Sequence, residues 1–473
     1  MRLTGETCLH AQALMASRLG LDFSKGRLAD LERGLFKACR ASSVSSPETY
    51  LAWLATLPNE SAEWRRLASH LTVGETYFFR DHALFDALER QVLPSLISAR
   101  RTEGTLRLRL WSAGCATGEE PYSLGILLDR LLPDLRDWSV TILATDINPQ
   151  ALESARRGCY REWSFRETPQ WIRDRYFHRR SAESFELDAG IRRMVTFAPL
   201  NLAEGGYPAA VTNTSAMDVI VCRNVLMYFT RDAQRATVER LRTALVRGGW
   251  LLVSPAECSA ELFRPLAPIN FPGAILYQNE QRSALSSQHP AVSPPVTVRQ
   301  AETVVPESSA LLPVVEMRVT RATVPSEDQV EALVATPTYL ERARTLADQG
   351  GLDQARQFCT AALARDRLEP EAHLLLAAIC QEQGDLPAAL EALRRAIYLA
   401  PDSAPSHFLL GSLHLREGRR ERGRRSMETV VSLLRSAPRD QTLPGTGGLT
   451  AGRLLETARA YLEMSSQPSE NRR

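Results

Sequence analysis

The feature that most constrains this chain is a change of texture near residue 105. From there to about 280, short β-rich runs alternate with helical stretches: LRLRLW at 106–111, VTILATD at 140–146, MVTFAPL at 194–200, MDVIVCRN at 217–224 and GWLLVS at 249–254. Strands separated by helices return in the same direction and form a parallel sheet covered by helices. Residues 1 to about 85 carry helical patterns only. Leu28, Leu31, Leu35 and Phe36 recur at helical spacing, and Tyr50-Leu51-Ala52-Trp53-Leu54 follows the cap-like Ser46-Pro47-Glu48. The expected fold is an α/β Rossmann-like domain preceded by a small all-α domain.

Two further textures complete the chain of 473 residues, which is too long for one core. Residues 282 to about 335 lose periodicity and carry Pro290, Pro294, Pro295, Pro306, Pro313 and Pro325, the composition of a flexible tether. Beyond it a pattern repeats every 34 residues: Gly350, Gly384 and Gly418; Ala343, Ala377 and Gly411; Ala355, Ala389 and Gly423. Small residues let paired helices approach, and glycine turns the chain between them. Period and pattern resemble tetratricopeptide repeats. The middle unit, with Pro401, matches best, and Arg367 and Arg435 replace that proline in the outer two. A last helix from Arg453 to Leu462 is placed to cap the stack. The expected division is 1–85 helical, 86–280 α/β sheet domain, 281–335 linker and 336–465 repeats.

Composition narrows the function classes. A net charge of +2 gives no global pull toward nucleic acid. The eight cysteines form no C-x-x-C pair, so neither a metal site nor a disulfide framework is expected. The polar N-terminus lacks a secretory core, and no apolar run reaches the ~18 residues that a membrane span needs. A cytoplasmic protein without membrane insertion is expected.

The strongest local motif is Trp111-Ser112-Ala113-Gly114-Cys115-Ala116-Thr117-Gly118-Glu119-Glu120-Pro121-Tyr122-Ser123, which follows a predicted strand and opens a predicted helix. Gly114 and Gly118 permit a tight turn and close approach of a ligand to the backbone. The motif is not G-x-G-x-x-G and lacks a P-loop lysine. Asp146 ends the next strand, where an acid either caps the helix near Asn148-Pro149 or accepts hydrogen bonds from ribose hydroxyls. The two features on consecutive βα units favour a nucleoside cofactor.

Three motifs in order, Leu71-Thr72-Val73-Gly74-Glu75-Thr76-Tyr77-Phe78-Phe79-Arg80, Gly118-Glu119-Glu120-Pro121-Tyr122-Ser123 and Cys222-Arg223-Asn224-Val225-Leu226-Met227-Tyr228-Phe229, resemble the CheR family of chemotaxis receptor methyltransferases. The likeness runs from near residue 10 to about 280. It implies S-adenosyl-L-methionine as cofactor and glutamate side chains of a methyl-accepting chemoreceptor as acceptor. It implies that the segment before the sheet domain folds over the cofactor, with Thr76 and Arg80 against it. Gly74 stands where the family often has asparagine. Glu120 and Asp146 match cofactor-binding acids, Asn201 and Leu202 the segment beside the adenine, and Arg223, Asn224 and Tyr228 the strand-end motif nearest the methyl group. Arg80 and Tyr228 are the candidate catalytic residues, holding the incoming carboxylate or covering the sulfonium. Glu119 reads as a helix cap, Phe78 and Phe79 as packing, and His70, His82 and His178 as surface or packing residues. In the family a basic helix of the N-terminal domain reads the receptor; Arg18, Lys25, Arg27, Arg33, Lys37 and Arg40 are the corresponding cations here.

A glutamate carboxylate (pKa near ~4.3) is already a nucleophile at neutral pH. Methyl transfer to it therefore needs alignment rather than a general base. Two alternatives stand beside this reading: a methyltransferase with another protein acceptor, and a cofactor-binding scaffold. Residues 1–280 are expected to be self-sufficient, with the repeats folding separately and meeting a protein partner, the receptor, on their concave face.

Overall fold

A computed structural model describes residues 3–24, 26–59, 61–209, 212–280, 338–348 and 350–465. Lys25 and the expected linker 281–335 lie outside the described residues. The first four helices are Gly5–Leu19, Leu28–Ala41, Pro47–Thr56 and Ala62–Leu71, the third starting at the anticipated Ser46-Pro47-Glu48. Thr4, Ser46 and Ser61 each accept a backbone N–H of the first turn.

The sheet runs β1 (Arg107–Ala113), β2 (Ser139–Asp146), β6 (Val195–Pro199), β7 (Met217–Val221), β8 (Leu245–Leu252), β9 (Ala267–Phe271) and β10 (Ala274–Gln278). Its spatial order is β6-β2-β1-β7-β8-β10-β9. The first five are parallel neighbours, and β9 and β10 close the edge as an antiparallel hairpin. The five strands anticipated from sequence are all present. Strand order reverses between β1 and β7, so a crevice opens at their carboxyl ends, where doubly wound sheets bind ligands. A second sheet of β3 (Cys159–Tyr160), β5 (Phe185–Leu187) and β4 (Phe177–Arg179) is antiparallel, with strands of two or three residues.

The C-terminal helices pair as Tyr339–Asp348 with Leu352–Arg365, Pro370–Glu382 with Leu386–Leu399, and Ala404–Arg416 with Arg420–Leu434. Gly350, Gly384 and Gly418 have φ of 82°, 79° and 75°, the left-handed turn that glycine adopts without strain. The Ala451–Ser465 helix packs on the last pair.

The repeats do not stand apart as expected. The described residues of 3–280 and 339–465 fall in one compact unit. Arg109 at the amino end of β1 pairs with Glu382, Arg65 pairs with Glu456, and a Cβ at Gly384 would touch Ser139. Nor is the face built by the first helices of the second and third pairs wholly open. A Cβ at Gly445 would contact Leu374 and Glu371, and Phe408 meets Tyr461 at 6.0 Å. Gly445 and Tyr461 of the chain itself thus lie against that face. Sequence periodicity reports helix pairing within the array and carries no signal for what the array touches.

Candidate active site

The cleft forms where three backbone turns meet above the carboxyl ends of β1, β2 and β7. After β1 the chain turns at Gly114 (φ 90°), Ala116 (φ 45°) and Gly118 (φ 94°). A Cβ at Gly114 would lie 2.3 Å from Val225, and one at Gly118 would lie 2.8 Å from Ala155, so larger residues would close the turn. After β7, Asn224 also takes a left-handed conformation (φ 56°). Strained non-glycine residues on facing loops cluster at ligand sites.

Buried carboxylates hold these turns. Asp146 accepts the N–H of Ala116 and of Asn148, each at 2.8 Å. Burial pushes its carboxyl pKa up, and the surrounding backbone N–H groups pull it back. Glu257 accepts from the N–H of Asn224 (2.7 Å), Val225 (2.8 Å) and Met227 (3.2 Å), and from the Ser254 hydroxyl (2.6 Å). Glu120 accepts from Ser112 Oγ at 2.7 Å and from Arg223 at 3.1 Å; burial raises its pKa against the pull of that arginine. The other arm of Arg223 meets Asp81, while its Nε has no hydrogen-bond partner.

Thr72–Asp81 forms the cover. Phe78 packs on Tyr160, Phe165 and Phe177 at 4.8–5.2 Å, and its N–H donates to Ser164 O at 3.0 Å. Arg166 pairs with Glu75 at 3.4 Å and lies 3.6 Å over the Tyr77 ring. The cover is thereby anchored to the small sheet.

All ten residues anticipated from sequence, Gly74, Thr76, Arg80, Glu120, Asp146, Asn201, Leu202, Arg223, Asn224 and Tyr228, line this one cleft. Their states differ. The Asn201 amide already donates to Arg18 O (3.2 Å) and Glu204 (3.1 Å), so it shapes the wall. Arg80 donates to Glu75 O at 3.0 Å and stays at the mouth. A Cβ at Gly74 would meet nothing within 4 Å. Phe78 and Phe79 are core residues. Glu119 does more than cap: buried, it accepts from Thr117 at 2.6 Å and from Ser164 at 2.9 Å, beside the cover.

Sequence reasoning missed several residues. Glu257 and Asp81 act by bonding the motif from outside it. Arg27, read as a surface cation, lines the cleft between the rings of Phe23 (4.7 Å) and Tyr228 (4.5 Å). Cys115 lines the wall with its thiol pKa pushed well up by burial, which makes it a poor nucleophile.

The donor set fits S-adenosylmethionine. Asp146 keeps acceptor capacity for ribose hydroxyls, Glu120 is an acceptor for an ammonium, and the apolar wall of Leu21, Ile147, Leu200 and Leu202 suits a base. Leu71 and Val225 close the remaining sides.

Comparison with known proteins agrees. The family model of the CheR methyltransferase SAM-binding domain matches residues 74–263, and a tetratricopeptide repeat model matches 340–404. A probable chemotaxis protein methyltransferase of Rhizobium etli is 32% identical over 247 residues, covering 52% of this chain and 89% of the relative. Chemotaxis protein methyltransferase 2 of Vibrio cholerae is 31% identical over 245 residues, 52% of this chain and 83% of the relative. The probable biofilm formation methyltransferase WspC of Pseudomonas aeruginosa is 29% identical over 426 residues, 89% of this chain and 97% of the relative, repeats included. With its cleft inside the matched region and relatives over 30% identical covered almost end to end, the chain belongs to the CheR methyltransferases and uses S-adenosylmethionine.

Proposed function

We propose that the protein methylates glutamate side chains of a chemoreceptor-like protein, giving glutamate methyl ester and S-adenosylhomocysteine. The observation that carries this reading is the kind of group at the cleft mouth. Among the described residues the lining holds Arg80, Asn224 and Tyr228, and no histidine. An acceptor that is already an anion needs cationic and hydroxyl donors to align it, not a base to deprotonate it. When bound, S-adenosylmethionine supplies an electrophilic methyl on a sulfonium. Arg80, carried by the cover, is the cation for the incoming carboxylate. Tyr228, stacked on Arg27, lines the same cleft and offers a hydroxyl donor. Glu120 and Asp146 orient the cofactor from the sheet side. With the acceptor held as an anion by Arg80 and Tyr228, transfer of that methyl would need alignment only and no proton would have to move.

Arg33, Lys37 and Arg40 form an exposed basic stripe along the Leu28–Ala41 helix, suited to an acidic helical substrate. The repeat domain has a protein partner in this reading. With the inner face partly covered by the chain itself, docking falls to the outer groove, lined by Arg367, Arg394, Leu363 and Leu376. A relative named for biofilm formation, matched along 89% of this chain, favours a chemosensory pathway whose output is not motility.

The test is transfer of labelled methyl from S-adenosylmethionine to receptor signalling domains, with release of the label by mild base. Base-labile label supports glutamate esters. Base-stable label points to a different acceptor group, and no transfer with intact cofactor binding points to a scaffold.

A further inference from the structure

The Ala451–Ser465 helix reaches past the repeats to the back of the cofactor cleft. Glu456 on this helix is 7% exposed and is met by three arginines: Arg65 at 2.8 Å, Arg459 at 3.1 Å and Arg439 at 3.4 Å. Arg65 belongs to the Ala62–Leu71 helix of the N-terminal domain. That helix runs directly into the cover, and Leu71 to Thr76 together with Arg80 line the cleft. One turn away, the Arg453 side chain lies 2.8 Å from the place of a Cβ on Gly206, at the end of the loop that begins with Asn201 and Leu202. The space between the C-terminal helix and these two elements is bounded by Leu19, Ile147, Leu200 and Asn201. The same four side chains form the wall of the cofactor cleft. A single layer of residues therefore separates the C-terminal helix from the cofactor site.

We propose that Glu456 is a positioning residue for the cofactor. It fixes Arg65, and so the helix that carries the cover, against the sheet domain. The C-terminal segment thereby completes the methyltransferase rather than merely following it. A carboxylate 7% exposed that is shared by arginines from separate elements ties those elements together at one joint, because removing it takes away the one charge all three meet. Arg65 is attached to one half of the cleft through the Thr72–Arg80 cover. Arg453 touches the loop of the other half. Freeing the joint lets the halves separate where the cofactor has to be enclosed, and ordering them again is subtracted from cofactor affinity. This assignment rests on the cleft being the S-adenosylmethionine site.

The experiment uses the full chain and calorimetric titration with S-adenosylmethionine. Wild-type protein that does not bind would overturn the site itself, independently of Glu456. Given wild-type binding, Glu456→Gln and Arg65→Met are each expected to weaken it roughly 5- to 20-fold. The double variant should be no weaker than the worse single one, because both remove one joint. Hydrogen exchange of residues 72–80 should quicken in Glu456→Gln while the strands β1 and β7 stay protected, which reports on the cover even if the melting temperature falls. Unchanged affinity in either variant, losses that multiply in the double variant, or a lower melting temperature with unaltered cover exchange would each overturn the proposal.

Discussion

Two arginines, each 2% exposed, sit at opposite ends of the same sheet and hold loops together in opposite ways. Arg109, at the amino end of β1, donates to Asn213 O, Asn213 Oδ1 and Ser215 O at 2.8–3.3 Å and faces Glu382 of the repeats at 3.7 Å. Arg223, beyond the carboxyl end of β7, is itself held between Glu120 and Asp81. The loops around both are strained, at Asn213 and Ala216 on one side and at Ala116 and Asn224 on the other. What differs is the group that needs a partner. Loops ahead of the strands leave carbonyls free, and a guanidinium satisfies them. Loops after the strands, leading to the next helix, leave N–H groups free, and Asp146 and Glu257 satisfy those. The carboxyl end is thus lined with acceptors and suits a cationic nucleoside. The amino end closes as a seam against the chain's own repeats.

The sharpest way to break this contrast is to remove each arginine. Arg223→Met strands Glu120 and Asp81 and should lower S-adenosylmethionine affinity more than 100-fold, by about 3 kcal/mol or more. Arg109→Met should cost about 3 kcal/mol of stability in urea denaturation, yet leave the affinity of the folded protein within about threefold, since Arg65 and Glu456 are untouched. Cofactor loss in Arg109→Met as deep as in Arg223→Met would erase the distinction.

Asp146→Asn comes next. It keeps the size of the group but loses two charged acceptor sites, so affinity should fall by about 2–3 kcal/mol with the fold retained. Calorimetry with unchanged affinity would remove Asp146 from the ribose position.

At the seam, Asp348 has its pKa pushed up to about 6 by burial first and Glu382 second, against Arg344. The unfolded chain releases this proton near ~3.9. Between those values the folded protein binds a proton that the unfolded one does not, so stability falls as pH rises from about 4 to about 6. Asp348→Asn should flatten that portion of the melting-temperature profile. A profile identical to wild type would show that the seam does not hold the proton.

The smallest effect is at the cover. An asparagine at Gly74 enters open space, and Gly74→Asn should tighten cofactor binding by about two- to fivefold through one added hydrogen bond. Weaker binding would mean that the open space is needed.

Most of the cleft was legible in the sequence, because its residues are tied to strand ends. A residue at the tip of a predicted strand in an α/β sheet has only one place to go. Gly114 and Asp146 could be brought together from order alone, whereas Leu202, Arg223 and Tyr228 came with the family resemblance. The helical pairing of the repeats was legible for a similar reason: glycine every 34 residues marks a turn that the backbone must make. Tertiary structure decided the remainder. Glu257 bonds the Asn224 loop from 33 residues away, Arg27 stacks on Tyr228 from a different domain, and Glu456 meets Arg65 across 391 residues. None of these pairs shares a period or a motif. They follow from which faces pack after the sheet and the repeats have formed, when burial leaves each charge only the partner that geometry has brought within reach.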